Sequence, residues 1–324
     1  MKKLVSVIIP TYGRAELLDT AINSVLEQSY QDIEIIVVDD NPVDSQERFF
    51  TEKIMEKYDS VDRVKYCKHQ INKGGCAARN TGIRNAKGEY IAFLDDDDRY
   101  LPLYIEKMVE RLEETSSNMV YMSRAYCDNG KRIYTSVLSE EGYPEGHIFE
   151  AVLKGECMIS IFFMASKMIL ERDGLFDEKL KGYQDCDIWF KLTRNENVAA
   201  MKDAEAIFVR DDRQRITINP YKREKDLEIF IQKWEKELKD EERLWFREFV
   251  LFNKEQIAIN RIIWDITKSK DDRSITLKEC LEMNISKTMK LKLILTKMLG
   301  TKGRKFYDWL RFLIKRNNFL FLDE

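Results

Sequence analysis

Four consecutive carboxylates, Asp95, Asp96, Asp97 and Asp98, follow directly on the apolar run Tyr90–Leu94. Two like charges about 4 Å apart repel by roughly 1 kcal/mol in water and about 4 kcal/mol near a protein surface. Folding alone does not favour such a row, whereas a divalent cation would offset the repulsion. Hard cations such as Mg2+ and Mn2+ take oxygen ligands, and Mg2+ commonly shares one or two carboxylates with substrate phosphates. A solvated acidic turn is the plainer reading of an isolated Asp run. The elements around it decide between the two.

Those elements alternate. Leu4–Pro10 reads as a strand, and Ala15–Gln28 has apolar residues at helical spacing. Glu34–Val38 is a second buried strand ending at Asp39-Asp40, Gln46–Tyr58 is helical, and Val64–Lys68 is a short strand. Gly74–Asn85 runs as a helix after a Gly-Gly turn, Tyr90–Leu94 is the strand before the four acids, and Leu103–Glu113 is another helix. Such alternation predicts an α/β domain with a mostly parallel central sheet and helices on both faces. Ligands of these sheets bind beyond the carboxyl ends of the strands. Three of those ends carry polar residues here: Thr11-Tyr12-Gly13-Arg14, Asp39-Asp40-Asn41 and Asp95 to Asp98.

Farther on, Val120–Tyr126 and Lys131–Val137 read as a hairpin around Asp128-Asn129-Gly130, because Asn-Gly favours a type I′ turn. Ile159–Ala165 is a further strand and Lys167–Asp173 a short helix. From about Tyr221 the chain is helical and rich in Lys and Glu. The expected division is a catalytic domain over 1–220 and a helical C-terminal region over 221–324.

The 324 residues, 44% hydrophobic, suffice for a sizeable core. A net charge of -3 gives no general case for nucleic acid. Six cysteines show no zinc spacing and read as reduced thiols. No run of about 18 apolar residues predicts a membrane span. The expectation is a cytoplasmic protein, with peripheral contact at the inner face of the plasma membrane left open by the last forty residues. Between Lys287 and Arg316 lie ten Lys or Arg residues and one acid, while Phe306, Trp309, Leu310, Leu313 and Ile314 recur at helical spacing. That pattern fits a helix lying in a membrane surface, and equally a core-packing stripe with a solvated basic face. The same helices could form an oligomer contact.

Six motifs appear in order over residues 4 to 217: Val5–Tyr12, Val37-Val38-Asp39-Asp40, Asn72–Gly75 continuing through Ala78-Arg79-Asn80-Thr81-Gly82, Gly88–Asp98, Gly174–Glu178 and Tyr183–Trp189. Together they resemble the inverting family 2 glycosyltransferases of bacterial polysaccharide and cell-wall synthesis, with the GT-A fold. The resemblance implies a nucleotide-sugar donor, a glycan or lipid-linked acceptor, and Mn2+ or Mg2+ as cofactor. It places Pro10, Thr11 and Tyr12 against the base, with Tyr12 stacking. Asp40 accepts from the ring imide, a contact suited to uracil or thymine. Gly74 lets backbone approach the ligand or simply opens a helix, and Arg79 faces the diphosphate or braces the acidic strand end. Asp95 and Asp96 fall near the ribose and the metal's water shell. Asp97, with Asp95, is the implied metal-binding acid, and Asp98 the acid that holds the loop. Register within four identical residues is ambiguous by one position.

An acceptor hydroxyl is a poor nucleophile, so single displacement requires a carboxylate to take its proton. The position matching the family's base is Asp185, with N-capping of the helix Cys186–Thr193 as its structural alternative. Asp187, two residues on, points to another face. Two departures from the family pattern stand out. Gln184 replaces the Glu that precedes the base, and the stretch 208–217 has no His. There Arg213 or Arg215 could meet the diphosphate, Asp211 or Asp212 the metal, or the loop is simply charged. These departures keep a non-catalytic nucleotide-sugar-binding partner subunit as the alternative. Nucleotidyl transfer fits less well, because Thr11-Tyr12-Gly13-Arg14 lacks the Gly-x-Arg-Leu pattern. Prenyl-chain synthesis fails because Arg99 and Tyr100 break the acidic pattern it needs.

Overall fold

The computed structural model describes residues 3–122, 124–128, 133–137, 144–155, 161–209 and 219–268. The chain divides into two compact units, one comprising Met1–Arg213 with Lys233–Glu248, the other Gln214–Gln232 with Phe249–Glu324.

The first unit opens with β1 (Val5–Thr11), α1 (Ala15–Leu26), β2 (Ile33–Asp39), α2 (Gln46–Met55), β3 (Val64–Lys68), α3 (Gly75–Asn85) and β4 (Tyr90–Phe93). A two-residue strand, β5 (Arg99–Tyr100), precedes α4 (Tyr104–Thr115). Next come β6 (Met119–Met122), β7 (Arg124–Asp128), β8 (Ile133–Val137), α5 (Phe149–Lys154), β9 (Phe163–Ser166), α6 (Lys167–Arg172) and α7 (Gln184–Asn195). The run ends with β10 (Val198–Met201), β11 (Ala206–Val209), α8 (Pro220–Glu237) and α9 (Asp240–Lys268).

Seven strands form the main sheet in the order β10-β6-β9-β4-β1-β2-β3. The pairs β1–β2, β1–β4, β2–β3 and β6–β10 are parallel, while β9 runs antiparallel to both β4 and β6. The strand residues are apolar on both faces because both faces are covered. Val5, Val7 and Ile9 share a core with Leu18, Ile22 and Met108 on one face. Ile8 on the other face meets α3 at Gly82, where a Cβ would lie only 2.4 Å from Ile8 Cγ2. A glycine there is what lets α3 approach the sheet.

A second sheet, β5-β11-β7-β8, is smaller. It redraws the expected hairpin. Residues 119–122 belong to the main sheet, and only Arg124–Asp128 pairs antiparallel with Ile133–Val137. The hairpin's turn, 129–132, lies outside the described residues. A continuous apolar stretch does not reveal where a chain leaves one sheet for another, so periodicity alone joined the two strands.

The end of α8 packs within the first unit. Trp234 meets Phe190 of α7 edge-on at 5.0 Å, and Phe246 of α9 lies 5.9 Å from the same ring. In the second unit, Phe230 and Phe249 pack with centroids 5.8 Å apart, and Arg261 bonds both oxygens of Glu224 at 2.9 Å. Among the described residues, no helix is long and apolar enough to cross a membrane. The 285–324 segment and the 210–217 loop singled out in the sequence lie outside the described residues.

Candidate active site

The carboxyl ends of β1, β2, β3 and β4 converge with the N-termini of α3 and α7. At the end of β1, Pro10 is half-buried, Thr11 is buried, and Tyr12 is 54% exposed. The Thr11 hydroxyl donates to Asp96 Oδ2 at 2.7 Å, so its side chain supports the acid row from beneath. Three residues on, Arg14 bonds Asp96 Oδ1 through Nη2 and Asp97 Oδ2 through Nη1, each at 2.5 Å.

The two acids after β2 have separate tasks. Asp39 is fully buried and pairs with Arg48 Nε at 2.9 Å, while accepting from the Tyr66 hydroxyl and from Asn41. Burial pushes its carboxyl up, against these partners, which favour the ionised form. Arg48 also donates to the carbonyls of Asp39, Asn41 and His69, closing the ends of β2 and β3 together. Asp40 collects the following loop. His69 Nδ1 lies 2.7 Å from its Oδ1, the Lys73 N–H donates to Oδ1, and Asn72 Nδ2 and the Gly74 N–H donate to Oδ2. Two partners on each oxygen are about what a carboxylate accommodates. The other nitrogen of the His69 ring faces Thr81 Oγ1 of α3 at 2.9 Å. Gly74 sits at φ +94°, a conformation that favours glycine, and it aims its N–H at Asp40 while α3 begins at the next residue.

The four acids after β4 do not act alike. Asp96 is wholly buried on Thr11 and Arg14, and burial pushes its carboxyl up to about 7 despite both partners. Asp98 is buried and accepts from the Val209 N–H of β11 at 2.9 Å. Asp95 and Asp97 are partly exposed. One oxygen each from Asp95, Asp97 and Asp98 lies within 4.8 Å of the others. This hard-oxygen set fits Mg2+ or Mn2+.

Arg79 of α3 links the acid row to α7. Its Nη2 donates to Asp95 Oδ1 at 2.6 Å, its Nη1 reaches Gln184 Oε1 at 3.5 Å, and its guanidinium lies over the Phe176 ring. The next residue, Asn80, fixes the approach to α7. Its amide donates to Phe176 O and Glu178 Oε1 and accepts from the Phe176 N–H, all at 2.9 Å. Two motifs almost a hundred residues apart are thereby one structural unit.

Asp185 lies in the first turn of α7, whose N-cap is Tyr183 at φ +58°. The helix has no side-chain cap there, so N-capping is not the task of Asp185. Burial raises its pKa, the Arg79 charge lowers it, and Asp95 raises it further. Asp187 is turned elsewhere. It is fully buried and meets Lys191 at 3.1 Å, Lys233 at 2.6 Å and Trp234 Nε1 at 3.0 Å. It fastens α7 to the end of α8.

The structure therefore gathers Tyr12, Asp40, Gly74, Arg79, Asp95, Asp96, Asp97 and Asp185 around one set of strand ends. Sequence reasoning missed Arg14, Arg48 and His69. Arg14 carried a usable signal, being a cation in a strand-end turn facing an acid row. His69 carried none, since its partners lie 29 and 12 residues away.

A mostly parallel α/β sheet with an acid row beyond a central strand defines the GT-A class of fold. The chain belongs to glycosyl transferase family 2, whose family description matches residues 6–178. An uncharacterized glycosyltransferase of Rickettsia felis is 34% identical over 200 residues, covering 61% of this chain and 31% of that protein. The chain thus spans about a third of the length of that relative. The Escherichia coli protein WfgD, a UDP-Glc:alpha-D-GlcNAc-diphosphoundecaprenol beta-1,3-glucosyltransferase, is 28% identical, covering 61% of this chain and 73% of that protein. Staphylococcus aureus TarS 1-349, solved with UDP-GlcNAc, superposes with a TM-score of 0.63 at 19% identity, covering 94% of this chain and 90% of that one. At that identity the likeness shows the fold.

Proposed function

We propose that this chain transfers a hexose or N-acetylhexosamine from a UDP- or dTDP-sugar to a hydroxyl of a glycan or lipid-linked glycan, with inversion and by single displacement. The observation that carries this reading is Arg79, which binds Asp95 of the acid row and reaches Gln184 beside Asp185. A donor diphosphate at the acids would thereby adjoin a carboxylate able to act as base. WfgD is named for a UDP-sugar donor and a lipid diphosphate-linked acceptor, which supports the same classes here.

In this reading Tyr12 stacks on the base, with Pro10 and Thr11 forming the floor beneath it. Asp40 reads the ring imide by exchanging one of its loop partners. The Asn72 amide at 3.0 Å, the longest of the four contacts, is the one given up. Gly74 brings backbone close to the donor, and Asp95 and Asp96 border the ribose. Asp95 and Asp97, with Asp98, would hold Mn2+ or Mg2+, which when bound offsets the charge of the diphosphate. Asp185 takes the acceptor's proton as the acceptor oxygen bonds the anomeric carbon, and the bond from that carbon to the diphosphate oxygen breaks to release the nucleotide. The Arg79 charge favours the ionised form of Asp185 against the burial that raises its pKa.

Peripheral contact with an anionic membrane through 285–324 belongs to the same proposal, as does a catalytic module ending near residue 220. The test is sugar transfer from a panel of UDP- and dTDP-sugars in Mn2+, parent beside Asp185→Asn. Transfer by the parent alone supports the reading. Two equally inert proteins that still bind UDP would favour the partner-subunit alternative.

A further inference from the structure

Arg14 has no part in stacking, base reading or proton transfer, yet it is built into the acid row. Its guanidinium spans two neighbouring carboxylates, holding Asp96 at 2.5 Å and Asp97 at 2.5 Å. Asp96 is wholly buried, whereas Asp97 is 21% exposed and Arg14 39%. On the opposite flank Arg79 holds Asp95 at 2.6 Å. Two of the three acids proposed to meet the cation, Asp95 and Asp97, therefore carry a guanidinium on one oxygen. Together the arginines offset half the charge of the four carboxylates.

We propose that Arg14 is an internal counter-ion that makes uptake of the divalent cation conditional on the nucleotide diphosphate. The inference rests on the donor-site reading above. A cation on Asp97 and the Arg14 guanidinium are like charges sharing one carboxylate. Repulsion between a single and a double positive charge at that range exceeds the gain from the one hydrogen bond by which Arg14 orients Asp97. The bare site thus holds the metal ion more weakly than the same carboxylates would without Arg14. A diphosphate reverses the balance, because its charge compensates both cations and guanidinium binds phosphate well. Buried Asp96 retains the arginine throughout, and the more exposed Asp97 is the partner it yields. Cation and nucleotide then enter as one unit.

The test is titration of the full-length chain with Mn2+, read by the electron paramagnetic resonance of the free ion, with and without UDP. Parent, Arg14→Gln and Arg14→Lys are compared. Gln keeps a hydrogen-bond donor and removes the charge; Lys keeps the charge. The parent is expected to bind Mn2+ at least about tenfold more tightly with UDP than without. Arg14→Gln is expected to bind Mn2+ alone about tenfold more tightly than the parent, with Arg14→Lys behaving as the parent. If the parent takes up Mn2+ with UDP but Arg14→Gln binds the bare ion no more tightly than the parent, this inference is overturned and the donor site stands. A parent that takes up no Mn2+ even with UDP overturns both. Should Arg14→Gln fail to fold, Mn2+ binding by the parent with equal affinity in the presence and absence of UDP overturns it.

Discussion

Asp185 is pulled two ways, by burial toward its neutral acid and by Arg79 toward its carboxylate. A general base works only when ionised, so activity should fall as pH drops through its raised pKa. The acid limb of the kcat profile is therefore expected above the ordinary Asp value of about 3.9. Arg79→Met removes the charge that favours the carboxylate, and the limb should move up by about one pH unit in a kcat-against-pH measurement. An unmoved limb would mean that Arg79 does not act on the base. Asp97→Asn should weaken Mn2+ uptake in the presence of UDP by tenfold or more, measured as competition with a metal indicator. These carboxylates were legible as a group because four adjacent acids after a buried strand repel one another unless cations offset the charge. Their division of labour was not. Nothing in four identical residues says that the second is buried on Thr11 and Arg14 while the fourth accepts from β11. Asp40 illustrates the same limit, since its four loop contacts come from residues 69–74, whose approach only the folded chain specifies.

Helices and strands deliver these side chains through a few buried polar ties and close approaches. Arg48 pairs with fully buried Asp39 between α2 and β2. Arg48→Met would strand that carboxylate, so a loss of about 3–5 kcal/mol is expected by denaturant unfolding. Lys233→Met should cost less, about 1.5–3 kcal/mol, because Lys191 still pairs with Asp187, and α7 should loosen from α8 with it. A variant as stable as the parent would show that the tie is dispensable. Gly82→Val should also destabilise, because the space beside Ile8 is already filled. The alternation from β1 to α4 was legible, since buried parallel strands and amphipathic helices have different periods. The place of β9 was not, because an antiparallel strand between β4 and β6 reads in sequence like any other apolar run. The two-residue β5 is too short to carry a pattern at all.

The first unit contains every described residue of the candidate site, and it includes Lys233–Glu248 from the helical part of the chain. The change in composition near residue 220 set the expected boundary, whereas the compact units part after Arg213 and again on either side of Lys233–Glu248. That Lys233 and Trp234 return to Asp187 was not legible, because the tie depends on tertiary packing across 46 and 47 residues. For the last forty residues, the amphipathic reading predicts that the full-length chain sediments with anionic vesicles at low salt and is released at high salt. Trp309→Glu should weaken that binding, while equal sedimentation by both proteins would assign the stripe to packing instead. The most direct measurement is single-turnover sugar transfer from a UDP-sugar in Mn2+, comparing the parent with Asp185→Asn, each with its UDP affinity determined by calorimetry. Equal UDP affinity is expected, with a rate at least about a thousandfold lower in the variant. A variant that transfers sugar as fast as the parent would contradict the role of Asp185 as base.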